Sequence, residues 1–583
     1  MGYVLLLQRG CKVLIWHPGH LRPECNLAVN LVRRFTDLTV CEFLPSVHYA
    51  HVLTYGQSLA LLADADFQTK ALNEVKRIAG EGEKEIISRI RVIAAGHSLE
   101  VFTPPPPGVS MEDFNPKEGR FPSMKCTQAV STMVDSIMRG EPFQDDNGCT
   151  WDAVDHKPSF VIADMFMGDA AVWLKEKYNI PIYMFYACGN AFSFTRYYAP
   201  LAYGGQADGY VEECESVADD EERAKGRSFT QIAKQVFAHS GRYPEDIVRI
   251  KGMKPFYEWE DHTQDRWSVG MYWTLAGIHP LVQKADGLIL PAVIDLDPEG
   301  VEGVKEWFST EIGRPIFCLG PQLPSSYLDA RIRSGSEVST ISGSEVQISY
   351  LQPEDNANET IDPSIAFLDA ALATYGANSA LYITFGSFLT PTLPHLQYLF
   401  DVLLQLEVPI PFLFAAASPA LKFPEDLKQK IEKSGRGLVV PWAPQQSVLL
   451  HPATGWALSH CGYGGLSEAL SQGVPIIAWP IAWDQPHNAR WLTEVIGTSF
   501  ELLQVRNGLG PKKAYRGGPD GTEIVGTEEA IKSEMREVFR LCRAEDGRRK
   551  REKASEVKQT IRDARTPGGQ IDQHYELLGK AIV

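Results

Sequence analysis

The chain runs to 583 residues, more than a single core of about 250–300 residues sustains, so it divides into domains. Hydrophobic residues make up 44% and charged residues 22%, which excludes a disordered chain. The 56 basic and 73 acidic side chains leave a net charge of −17, a field that repels phosphate backbones and excludes a general nucleic-acid binder. The opening MGYVLLLQRG holds an apolar stretch too short for a signal peptide, and no run approaches the ~18 apolar residues of a membrane span. The ten cysteines form no C-x-x-C pair, so zinc and dithiol chemistry are disfavoured and reduced thiols in a cytoplasmic protein are expected.

In chain order, Lys12–Trp16 (KVLIW) predicts a buried strand that ends in the turn His17-Pro18-Gly19-His20. An amphipathic helix follows, with Leu27, Leu31, Val32 and Phe35 on one face. The alternation continues with strands at 37–44, 159–163 and 182–186 and a helix at 168–177, which predicts a parallel sheet covered by helices. Two irregular blocks interrupt it: the Pro- and Gly-rich 103–123, and 204–228, whose EECESVADDEE reads as a solvated excursion. Residues 325–362 are Ser- and Gly-rich and read as a linker insertion. Strands then return at 380–385, 411–415, 438–440, 456–459 and 475–479, making a second α/β half. The basic Arg548–Arg551 stretch sits in the last long helical pattern and reads as a solvated face.

The informative segment is Trp442–Gln485, WAPQQSVLLHPATGWALSHCGYGGLSEALSQGVPIIAWPIAWDQ. A strand ends at His460 and passes through Cys461-Gly462-Tyr463-Gly464-Gly465 into a helix expected from about Leu466 to Gln472, closed by Gly473. A glycine-rich turn at a helix start presents backbone N–H groups at the positive end of the helix dipole, a cradle for phosphate.

This segment resembles the signature box of the UDP-sugar-dependent glycosyltransferases of plant secondary metabolism, with Trp442, Gln445, His460, Gly462, Glu468, Asp484 and Gln485 at that family's spacing. The resemblance implies that Trp442 stacks on uracil with Ala443 beside it in the UDP-sugar site, that Gln445 and Glu468 bind ribose, that His460 contacts the diphosphate, and that Asp484 with Gln485 holds sugar hydroxyls. Asp484 as a helix cap is the competing reading. Where the family carries Trp-Asn-Ser after His-Cys-Gly, this chain has Tyr463-Gly464-Gly465, which replaces side-chain contacts by backbone donors. Gly19-His20-Leu21-Arg22-Pro23 resembles the family's catalytic-base loop, Phe160–Asp164 the strand whose Asp orients that base, and Phe385-Gly386-Ser387 the loop whose Ser reaches the phosphate.

The resemblance implies an α/β protein of GT-B architecture, two facing Rossmann-like domains with parallel sheets and a cleft between them. The expected division is 1–325 for the acceptor, 326–362 as linker insertion, 363–565 for the UDP-sugar, and 566–583 as a helix returning to the first domain. The chemistry stands without the family: imidazole suits removal of a hydroxyl proton, and a carboxylate on its other nitrogen fixes the tautomer. The expected reaction is inverting transfer of a hexose, glucose foremost, from a UDP-sugar to a hydroxyl of a small lipophilic acceptor, with His20 as base and Asp164 behind it. The UDP-sugar is a co-substrate; no cofactor, metal, nucleic-acid partner or integral membrane segment is expected, and the protein reads as a monomer. A sterol or lipid glycosyltransferase of the same fold and a non-catalytic sugar-nucleotide binder are the alternatives. A Ser hydrolase is excluded because Gly386-Ser387-Phe388 lacks the second glycine of a nucleophile elbow.

Overall fold

A computed structural model of the chain describes residues 2–7, 18–35, 38–44, 64–80, 83–88, 90–94, 122–145, 147–153, 158–206, 209–239, 246–261, 263–264, 268–330, 362–386, 390–418, 421–508 and 512–582. Two units emerge: Met1–Trp259 with Arg266–Gln322 and Ala564–Val583, and Glu260–Asp265 with Leu323–Asp563.

The first unit is built on a seven-stranded sheet of β1 (Gly2–Leu7), β2 (Leu38–Leu44), β3 (Ile90–Ala94), β4 (Pro158–Asp164), β5 (Ile182–Phe185), β6 (Gly287–Leu290) and β7 (Ile316–Cys318). Its order is β7-β6-β5-β4-β1-β2-β3, with every pairing parallel. The expected first strand, Lys12–Trp16, lies outside the described residues. The place between β2 and β4 is filled by Gly2–Leu7, with Leu7 opposite Ala163. An unbroken run such as YVLLL suits a parallel strand covered on both faces, so this stretch is a strand candidate in its own right. Helix α1 (Pro18–Arg34) buries Leu27, Leu31 and Val32 as expected, and α2 (Gly168–Tyr178) follows β4.

The acidic block departs from expectation, because much of it is helical. Helix α3 (Tyr210–Asp219) buries Tyr210, Cys214 and Val217, and α4 (Glu221–Ala224) is capped by Asp220, whose carboxylate accepts from the Glu222 and Arg223 amides. Apolar residues at i, i+4 and i+7 give α3 an inner face, while its carboxylates stay on the outer one. A charge count alone hides that stripe.

The second unit carries a six-stranded sheet of β8 (Ala380–Thr384), β9 (Phe412–Ala415), β10 (Gly437–Val440), β11 (Thr454–Ser459), β12 (Ile476–Ala478) and β13 (Ser499–Glu501). The order is β10-β9-β8-β11-β12-β13, again parallel throughout. Helix α5 (Gln445–Leu450) follows β10, α6 (Tyr463–Ser471) follows β11 and α7 (Asp484–Arg490) follows β12. The hairpin strands β14 (Lys513–Ala514) and β15 (Thr522–Glu523) lie beyond β13. Helix α8 (Glu545–Ala564) holds the basic stretch. Arg548 and Arg549 are exposed, but Arg551 donates to the Gly455 carbonyl at 2.6 Å and the Lys550 ammonium stands 4.7 Å from the Phe500 ring centroid. Half of that stretch therefore anchors α8, and only half is a solvated face.

Helix α9 (Gln570–Ile582) belongs to the first unit. Gln570 donates to the Cys318 carbonyl at 2.9 Å, and His574 Nδ1 accepts from the Cys318 amide at 3.0 Å, which ties α9 to the end of β7. Among the described residues no helix is long and apolar enough to cross a membrane. Residues 331–361, most of the expected linker insertion, and 103–121 of the Pro-rich block lie outside the described residues.

Candidate functional site

In a doubly wound sheet the strand order reverses at one place, where successive connections leave on opposite faces and open a crevice at the strands' carboxyl ends. The second unit reverses between β8 and β11. Gly386 follows β8 and His460 follows β11, so two of the expected residues stand at that crevice for a topological reason. Gly386 sits at φ +70°, a conformation open to glycine, and its amide donates to Thr384 Oγ1 at 3.3 Å. Ser387 lies outside the described residues.

His460 is buried, and burial pushes its imidazole down to about 4, with a backbone contact to Thr384 opposing the shift. The ring is therefore neutral at physiological pH. Gly462 is the N-cap of α6, and a Cβ there would stand 2.6 Å from His460 Nε2, so glycine is required for the imidazole to lie against the helix start. At Gly465 a Cβ would meet only Gln445 Nε2 at 3.6 Å, an ordinary contact, so that glycine opens space rather than relieving a clash. The helix begins at Tyr463, three residues before the expected Leu466, because Gly464 and Gly465 are taken into its first turn. Its amides are the donors that a helix leaves without internal partners. Gly473 closes the helix at φ +73°, as expected.

One turn further, Glu468 is buried and both its oxygens are engaged. Gln445 Nε2 donates to Oε2 and Gln446 Nε2 to Oε1 at 2.8 Å, while Tyr382 OH donates to Gln445 Oε1 at 3.1 Å. Gln445 and Glu468, named from sequence as a pair, are thus joined directly. Trp442 is half-buried and Ala443 buried in the loop between β10 and α5.

Asp484 and Gln485 open α7 after β12, both buried. Gln485 Oε1 accepts from the Ile481 and Ala482 amides at 3.0 Å each, bracing the loop and leaving its –NH2 to donate. Asp484 Oδ2 accepts from Asn488 Nδ2 at 2.7 Å, and the same nitrogen reaches the Cys461 carbonyl at 2.9 Å. Asn488 therefore stitches the glycine turn to the Asp-Gln corner. The N-cap of α7 is Trp483, so Asp484 occupies the first helical position rather than the cap. Two non-glycine residues with positive φ, Cys461 at 66° and Trp483 at 55°, precede α6 and α7, the kind of strain that surrounding structure must over-determine.

In the first unit the order reverses between β1 and β4. Asp164 ends β4 and is buried, while His20 lies in the first turn of α1. Both expected residues thus belong to elements flanking that unit's own switch point.

A family model described as UDP-glucoronosyl and UDP-glucosyl transferase matches residues 362–504, which contain every element of the second-unit site. The UDP-glycosyltransferase eriJ of Hericium erinaceus is 28% identical over 531 residues, 89% of this chain and 88% of that protein. The UDP-glucosyl transferase 74CD1 of Saponaria officinalis is 30% identical over 229 residues, 39% of this chain but 43% of its own length. Among solved structures, Medicago truncatula UGT71G1 complexed with UDP-glucose superposes with a TM-score of 0.59 at 18% identity, covering 100% of this chain and 98% of that one. Residues 362–504 thus match the UDP-glucoronosyl and UDP-glucosyl transferase model, and the chain is similar to a UDP-glycosyltransferase over most of its length. It is a glycosyltransferase, and its fold neighbours are GT-B enzymes.

Sequence reasoning about this UDP-glycosyltransferase missed Gln446, Asn488 and Tyr382. The second Gln of Gln445-Gln446 and an Asn four residues after Asp484, one helical turn on, were the available signals. The buried His460 has a consequence for acid stability. An unfolded imidazole titrates near 6.5 and this one near 4, so between those values the unfolded chain binds more protons and stability falls as pH drops. Denaturant melts at pH 7 and pH 5 should show a loss on acidification that is smaller in His460→Gln.

Proposed function

We propose that this glycosyltransferase moves glucose from UDP-glucose to a hydroxyl of a small lipophilic acceptor, inverting the anomeric carbon. The observation that carries the reading is the joining of the phosphate-cradling turn, through Asn488, to a buried Asp484 beside a donating Gln485. That arrangement puts a carboxylate acceptor and an amide donor one polar link from the diphosphate cradle, which suits neutral sugar hydroxyls.

Uracil stacks on Trp442, ribose hydroxyls engage Glu468 beside Gln445, and the diphosphate lies against the amides of Gly462–Gly465 with His460 as a neutral donor. His20 takes the acceptor proton as the oxygen attacks C1, the C1–O bond to UDP breaks, and the leaving diphosphate is stabilised by fixed dipoles. Asp164 orients the imidazole and stabilises its charged form. Glucose is favoured over glucuronate because the arginine nearest in sequence, Arg490, is buried with its guanidinium on Glu260 and Glu494 and is not offered to a sugar carboxylate. The Saponaria relative is itself named a glucosyl transferase.

Incubation with UDP-glucose and a panel of phenols, terpenoids and sterols tests the reading. Acceptor-dependent UDP release and a β-linked product are expected, whereas UDP binding without release under any acceptor would indicate a non-catalytic binder. Transfer should persist in EDTA, because the leaving-group charge is assigned to backbone amides and His460. Activity abolished by EDTA and restored by Mg²⁺ would overturn that assignment.

A further inference from the structure

Residues 260–264 come from the sequence of the first half yet are packed inside the second unit. They touch the Asp-Gln corner from both sides. Thr263 Oγ1 is within hydrogen-bond reach of the Pro480 carbonyl at 3.1 Å and the Ile481 carbonyl at 3.3 Å, in the loop whose Ile481 and Ala482 amides are braced by Gln485. Asp261 Oδ1 lies 2.8 Å from Nε2 of His487, one turn along α7 from Asp484, and both side chains are buried.

The segment is itself firmly held. The Thr263 carbonyl accepts from the Asn507 and Gly508 amides at 3.0 and 3.1 Å, and Gln264 donates to the Val505 carbonyl at 3.0 Å. Glu260 is buried among Arg490, Arg506 and Arg516, whose Nη1 atoms lie 3.1, 2.9 and 2.8 Å from Oε2, and its Oε1 accepts from the Tyr515 amide at 2.8 Å. Burial alone would raise this carboxyl; the three guanidinium groups hold it at about 2.

Between the Thr263 and His487 attachments lies Trp483 at φ 55° and ψ −131°, the strained residue that aims Asp484. A strained corner keeps one geometry only when its neighbours enforce it. We infer that the strap formed by Glu260, Asp261, Thr263 and Gln264 is a positioning element for donor-sugar recognition, fixing the corner at 480–483 so that Asp484 and Gln485 meet the sugar hydroxyls. This rests on the reading that those two residues hold the sugar. The strap contributes no atom to the reaction; it acts through α7 and its loop.

Thr263→Val removes the hydroxyl and keeps the shape, and Thr263→Ser restores the donor. Binding of UDP and of UDP-glucose is measured by calorimetry for both, beside Asp261→Asn and Asp484→Ala, together with KM, kcat and thermal midpoints. Thr263→Val should weaken UDP-glucose by roughly 3- to 10-fold, the worth of one net hydrogen bond, with UDP affinity unchanged, and Thr263→Ser should recover most of the loss. Asp261→Asn should shift the same ratio in the same direction. A lowered midpoint with UDP and UDP-glucose weakened equally would show a merely structural strap and overturn the inference. If Asp484→Ala loses the preference for UDP-glucose while Thr263→Val and Asp261→Asn keep it, the inference fails and the sugar assignment survives. If none of the three changes the ratio, the sugar assignment itself falls and takes the inference with it.

Discussion

His20→Ala should lower turnover by on the order of 10²–10⁴, the usual worth of a positioned general base. An acceptor hydroxyl is a poor nucleophile at neutral pH, and its proton must leave as the bond to C1 forms. His20 lies in the first turn of α1, in a unit whose sheet reverses its order beside β4, the strand that ends in the buried Asp164. Asp164→Asn should also slow transfer, because an amide neither enforces the tautomer nor stabilises an imidazolium. The residues assigned to UDP all belong to the second unit. Calorimetric UDP affinity should therefore be unchanged in both variants, with stopped transfer assays reading the loss. Equal loss of UDP binding would show that these side chains support the fold rather than the proton transfer.

Asp484→Ala should reduce kcat/KM for UDP-glucose roughly 10- to 150-fold, about 1.5–3 kcal/mol for hydrogen bonds to a charged group. Thermal stability is the wrong control here. Asn488 Nδ2 loses its 2.7 Å partner and keeps only the Cys461 carbonyl, so the variant should be about 1 kcal/mol less stable even if Asp484 never meets a sugar. The decisive comparison is between donors: UDP-glucose should weaken strongly and UDP hardly at all. A parallel loss for both would mean that Asp484 serves only to stitch the glycine turn to α7. Asp484→Asn, which keeps the shape and an acceptor oxygen, should fall between wild type and Ala.

Much of the second unit was legible because its signals are local. Apolar strand runs such as ALYIT, the glycine turn after His460 and the terminating Gly473 each report a backbone event within a few residues. The resembled box named Gln445 and Glu468 together as ribose binders, while their bond to each other and the support from Gln446 and Asn488 depend on side-chain direction, which spacing does not carry. The first unit was harder. The apolar Gly2–Leu7 pairs with β2 and β4, whereas the expected strand Lys12–Trp16 lies outside the described residues. The acidic block misled because carboxylate density masked the Tyr210, Cys214 and Val217 stripe. The strap was invisible: Glu260, Asp261 and Thr263 find their partners more than two hundred residues away, and no local pattern encodes such a distance.

That long-range strap matters to anyone who recombines these enzymes. The chain crosses between its units at 259/260, 265/266, 322/323 and 563/564, so neither unit is one continuous stretch of sequence. A chimera joined near residue 325, intended to graft a relative's first half onto this second half, would import the relative's version of 260–265 into the second unit. Its carboxylate would then face Arg490, Arg506 and Arg516, or leave those three guanidinium groups to Glu494 and Glu501 alone. Exchanges that retain residues 258–266 and the α9 boundary of their own parents should express better than those cut at the linker. They would also keep the effect of the exchanged half from being confounded with a disturbed 260–265 segment.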